Sequence, residues 1–142
     1  MTQEQKDLLL KDLCARLPYG VRVHHLGNYK HNLYKLEAIA AINYEMSITS
    51  QGPYIDNCPF IAKCVGIEEI KPYLFPLSSM TIEQRYELHD LIHNLNVLAI
   101  NGEIGDWIVS SSEIDWYNKN HFDYRGLIPK GLAIDATELN IY

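Results

Sequence analysis

Hydrophobic residues recur at helical spacing at the start of the chain: Leu9, Leu10, Leu13, Cys14 and Leu17 form one apolar stripe, as expected of an amphipathic helix. Thr2 followed by Gln5 has the form of a capping box, which places the helix over residues 3 to 16. Leu17-Pro18-Tyr19-Gly20 should end it, because proline disfavours helical geometry in the residue before it and Gly20 tolerates positive φ. Beyond Gly20 the period shortens to two. Val21 and Val23 alternate with Arg22 and His24, and Tyr44, Met46 and Ile48 alternate with Glu45, Ser47 and Thr49, the signature of half-buried strands. Leu36 to Ile42 is alanine-rich and reads as a further strand, and Ile61 to Ile67 as another after the turns Gln51-Gly52-Pro53 and Asp56-Asn57-Cys58-Pro59.

Thr81 and Gln84 repeat the capping-box spacing, and Leu88, Leu91, Ile92 and Leu95 supply the stripe of a second helix over residues 82 to 95. Asn101-Gly102 lies between the apolar runs 97 to 100 and 103 to 109, a pattern that predicts a β-hairpin because both turn residues accept positive φ. Ser110 and Glu113 then offer a cap to a short helix carrying Ile114, Trp116 and Tyr117, and turns at Gly126, Pro129 and Gly131 lead to a last strand over 132 to 136. Runs of strands interrupted by helices, without regular alternation, predict an α+β fold. The expected architecture is a small, mainly antiparallel sheet of about five or six strands with an N-terminal, a central and a short C-terminal helix. No repeat or linker-like stretch divides residues 1–142, so a single globular domain is expected.

Composition narrows the picture without naming a task. An apolar fraction of 47% and a charged fraction of 21% are those of a folded globular chain. The net charge of −6 disfavours a protein that grips phosphate backbones. Cys14, Cys58 and Cys64 show no CxxC spacing, so reduced thiols in a cytoplasmic protein are expected, and no apolar run is long enough for a membrane span.

Candidate chemistry is sparse. His89 and His93, four apart, project from one side of the second helix beside Ile82 and Tyr86; a zinc site would need a third ligand, and the spacing suits boundary histidines equally. Arg22, His24, His25, Lys30, His31 and Lys35 with Tyr29 and Tyr34 form the one locally basic stretch, compatible with a nucleic-acid or nucleotide contact or with a solvated loop edge. The serines at 78–79 and 110–112 precede expected helices and read as caps. No GxSxG elbow, phosphate-binding glycine loop or dinucleotide fingerprint occurs, so an enzyme would need a site assembled from distant positions such as His89, His93, Asp115 and His121. No cofactor or metal is indicated. The densest polar and aromatic group is Trp116, Tyr117, His121, Phe122, Asp123, Tyr124 and Arg125. Rings with an arginine are the chemistry of interface anchors, and equally of a core corner in which Trp116 and Phe122 are buried while Asp123 or Arg125 ties down a turn.

Residues 8–20, 70–81, 115–118 and 121–133, about a third of the chain, resemble short uncharacterised proteins encoded by phages, prophages and mobile elements of gut anaerobic bacteria. The resemblance implies an accessory protein that binds a host or phage protein, and carries no catalytic residue or cofactor with it. The reading is a small cytoplasmic protein-interaction module, with self-association as one form it could take; the alternatives are a nucleic-acid or nucleotide binder and a small enzyme.

Overall fold

The computed structural model describes residues 1–27, 33–40, 42–50, 62–103 and 105–142. Turns 51 to 59, Ile61, Cys58 and the basic-stretch residues Tyr29, Lys30 and His31 lie outside the described residues. The fold is α+β, as the pattern predicts. Helix α1 (Gln3–Arg16) begins at the Thr2–Gln5 capping box. It is followed by β1 (Arg22–His25), β2 (Tyr34–Ala40), β3 (Glu45–Ser50), β4 (Ala62–Gly66), a 3-10 turn at Ile67–Glu69 and β5 (Ile70–Leu74). Helices α2 (Ile82–Ile100) and α3 (Asp106–Lys119) come next, and the short strand β6 (Ile134–Asp135) lies near the end.

The sheet order is β4-β3-β2-β1-β5-β6, antiparallel except for the β5–β6 pair. Only four peptide links join Gly66, at the end of the first strand in that order, to Ile70 in the fifth. Four spacings of a flat sheet amount to about 19 Å, and four links reach at most about 14 Å. The sheet therefore curls. Its concave side collects Val21, Val23, Tyr34, Leu36, Met46, Ile48, Val65, Ile67, Ile70 and Leu74, and Leu9 and Leu13 of α1 join the same cluster. A bulge at Glu37 falls between the pairs Leu36–Ile48 and Ala38–Ser47, and beyond it only Ile39 of β2 still packs, half-buried, against that interior.

Strand β5 has no counterpart among the elements expected from the sequence, and Pro72 is the reason, since proline argues against a central strand. The Leu26 N–H bonds to the Glu69 carbonyl, so by antiparallel alternation the pair Val23–Pro72 falls where neither residue donates across. The missing N–H costs the ladder nothing there.

The expected β-hairpin at 97 to 109 is overturned. Residues 97–100 complete α2, and 106–109 open α3. Gly102, at φ +74°, donates to Ala99 O, and Glu103 N–H donates to Leu98 O, the paired bonds that close a helix on a left-handed residue. The positive φ that the Asn-Gly pattern announces is thus used to end a helix. The short helix expected from Ser110 starts instead at Asp106, with Ser110 to Ser112 inside it and Ser111 Oγ donating to Ile108 O.

Candidate functional site

The seven aromatic and polar residues singled out from the sequence divide into a buried set and a half-buried set. Trp116, His121, Phe122 and Asp123 are buried; Tyr117, Tyr124 and Arg125 are partly exposed. Trp116 stacks on Phe122 at 5.6 Å and donates from Nε1 to Glu87 of α2. Asp123 accepts the Leu127 and Ile128 N–H groups at 2.8 Å each, which fixes the turn after it. His121, itself in the left-handed region at φ +58°, stacks on Tyr142 at 3.9 Å. Burial, with Arg16 and Arg22 nearby, pushes the His121 pKa down to about 4, and burial pushes that of Tyr142 up to about 12.

Beneath this group lies an ion network that joins α1 to the segment after α3. Asp12 and Arg16 are both fully buried; Arg16 Nε is 2.7 Å from Asp12 Oδ2, and Arg16 Nη2 donates to the Phe122 carbonyl at 2.7 Å. Arg125 Nε approaches Asp12 Oδ1 at 3.2 Å, near enough for an ion pair though not aligned for a hydrogen bond. Arg125 also lies over the Tyr124 ring at 4.7 Å. These contacts tie elements together, and a partner reaching the segment would meet chiefly Tyr117, Tyr124 and Arg125.

The other candidates are dispersed. His89 and His93 stack on each other at 6.2 Å on the exposed side of α2, Asp115 accepts from the Tyr19 hydroxyl, and His121 is buried against Tyr142. No group of three or more histidine, cysteine or acidic residues able to hold a metal occurs among the described residues. Of the basic stretch, Arg22 lies over the Tyr142 ring, His24 Nδ1 is 3.1 Å from the Tyr73 hydroxyl, and Lys35 pairs with Glu37 at 3.2 Å.

Surface that lacks a covering is concentrated on the helical hairpin formed by α2 and α3. Its base packs through Leu88, Trp116 and Phe122, with Phe75, Met80 and Leu91 against them. Beyond that base, no described residue from 89 to 115 is buried. Two helices alone bury one face each, yet α2 has two apolar faces. Leu88, Leu91, Ile92 and Leu95 form the inner face, and the outer one consists of Ile82, Tyr86, His89, His93, Val97 and Ile100. At 100° per residue these six fall within about 80° of circumference. All are exposed, Ile82 at 68% and Ile100 at 85%. On α3, Trp107 is 73% exposed and folds back over Gly105, where a Cβ would come within 2.7 Å of its Nε1. Between the faces, a groove of about 400 Å³ is floored by Leu77, Met80, Leu88, Ile92 and Tyr117 and rimmed by Arg85, His89 and Glu113. The sequence pattern places His89 and His93 beside Ile82 and Tyr86; Val97, Ile100 and Trp107 were hidden by the β-hairpin reading.

The chain matches no family model, no curated protein and no solved structure. No helix among the described residues is long and apolar enough to cross a membrane.

Proposed function

We propose that the protein is a protein-interaction module whose contact element is the outward face of the α2–α3 hairpin, with the Trp116–Phe122 cluster anchoring that element to the curled sheet. The observation that carries this reading is the exposed stripe of α2. A helix normally presents one apolar face, and a second, unpartnered one running from Ile82 to Ile100 with Trp107 at the far end is the anatomy of a docking surface. A host or phage protein, the kind of target that the sequence resemblance implies, is the partner proposed. The basic side chains Arg22 and Lys35 are engaged within the chain, which weakens support for a nucleic-acid grip.

The reading is tested by parallel pull-downs from a bacterial host lysate with the wild type and an Ile100→Glu/Trp107→Ala variant, each checked by circular dichroism for retained helix. A partner held by the wild type and lost with the variant is the expected result. A partner retained equally by both, or turnover of a small molecule by protein that holds no partner, defeats the proposal.

A further inference from the structure

Granted that the hairpin is the contact element, on which this inference rests, the seam on α2 itself indicates the kind of partner. Ile82, Tyr86, His89, His93, Asn96 and Ile100 are separated by four, three, four, three and four residues. This is the alternation with which one helix receives the knobs of another along about two and a half heptads, or about five helical turns. All six are exposed, so the line of holes is vacant. A strand or a flat loop would not match that period.

Charge then selects among helices. Residues 82–119 contain seven carboxylates against Arg85 and Lys119, leaving −5 of the chain's −6. Glu83, Glu87 and Asp90 line one flank of the stripe, and Arg85 stands alone on the other. Glu68 is paired with Lys6, and Asp12 with Arg16, in the body. Among the flanking acids, Glu87 holds the Trp116 indole, Glu83 is exposed with no basic partner among the described residues, and Asp90 is exposed with only the adjacent His89 Nδ1 beside it, at 3.5 Å. A second copy of this hairpin would bring like charge against like charge.

We infer that the outer face of α2 docks an amphipathic helix of a basic protein, with apolar residues in the Ile82–Ile100 seam and lysine or arginine against Glu83 and Asp90. Ile82, Tyr86 and Ile100, with Val97 beside them, supply affinity through buried apolar area, and the carboxylates supply selectivity and a salt-dependent association rate.

The test uses the whole chain and two synthetic helices of three heptads, about 21 residues each. Both have leucine at the two seam positions; one has lysine at the flanking positions and the other glutamate, so self-repulsion keeps each peptide from pairing with itself. Titration followed by anisotropy of a labelled peptide should show the lysine helix binding at least about tenfold more tightly, a preference that shrinks when salt is raised from about 50 to 500 mM. Glu83→Gln with Asp90→Asn should narrow the preference. Tyr86→Glu, or Ile100→Glu at the other end of the seam, should weaken the lysine helix about tenfold or more while leaving the circular dichroism of the protein unchanged. Equal binding of both helices, or of neither, overturns the inference; so does a sedimentation measurement showing a wild-type dimer that Tyr86→Glu dissociates. If neither peptide binds but pull-down remains sensitive to Ile100→Glu/Trp107→Ala, the interaction reading stands and only the helix chemistry fails.

Discussion

The curled sheet and the helical hairpin are made from similar amounts of apolar residue and treat it in opposite ways. In the body, alternate residues of β1 to β5 face one interior that α1 closes with Leu9 and Leu13, and even its charged members, Asp12 and Arg16, are fully enclosed. In the hairpin, the stretch from 89 to 115 contributes many apolar side chains and no buried described residue. Apolar content therefore does not separate core from contact surface; the number of faces each element must cover does. The sheet has one covered concave side, whereas α2 has two apolar faces and, among the described residues, packs chiefly against one helix, α3.

The sharpest way to break the body is to remove Asp12. Asp12→Ala leaves the Arg16 guanidinium enclosed beside Arg125 without its carboxylate, and a loss of about 3–5 kcal/mol is expected by urea denaturation. Adding Arg16→Met should recover much of that loss, because the uncompensated charge disappears. A smaller effect comes from acid. His121 is held down to about 4 in the folded state against about 6.5 in the unfolded chain, so the unfolded state takes up a proton first. The stability contributed by neutral His121 is complete above about pH 6.5 and falls away as pH drops towards 4, by about 3 kcal/mol in all. Denaturation at pH 7.5, 6, 5 and 4.5 should trace this loss, and His121→Asn, which keeps a residue tolerant of positive φ, should flatten it.

The hairpin should respond more mildly. Gly102→Ala meets no neighbour within 4 Å but must hold φ near +74°, so backbone strain alone should cost about 1 kcal/mol. Hydrogen exchange should show that cost in the amides around 95–110 and not in β1 to β3. Smallest of all, Trp107→Ala should leave global stability within about 0.5 kcal/mol of the wild type, as expected at an exposed position. A large destabilisation there would mean that the hairpin tip belongs to the core after all.

Legibility from sequence followed the same division. Helix α1 and its cap, β1 to β4 and the start of α2 are visible because period, cap and turn chemistry agree at Thr2, Gly20 and Thr81. Strand β5 is hidden by Pro72, whose tolerance depends on which register position it occupies, a fact of pairing and not of sequence. The end of α2 is hidden because a left-handed glycine serves a hairpin turn and a helix terminus equally; the continuing stripe of Leu95, Leu98 and Ala99 was the cue for the helix. At the contact face, His89 and His93 could be placed beside Ile82 and Tyr86 from spacing alone. Nothing in the four-residue spacing of Asp12 and Arg16 marks them as buried; the arrival of Phe122 and Arg125 from far along the chain encloses them.

That arrival carries a consequence for biosynthesis. Arg16 finds its backbone acceptor at Phe122, 106 residues later, and the Arg22 N–H finds the Tyr142 hydroxyl 120 residues later. At about 5–20 residues per second of translation, roughly 5 to 20 seconds separate the synthesis of Arg16 from that of its acceptor. Throughout that interval Leu9 and Leu13 lack the cover that Leu127, Leu132 and Ala133 later complete, which leaves α1 an apolar surface that a chaperone can hold.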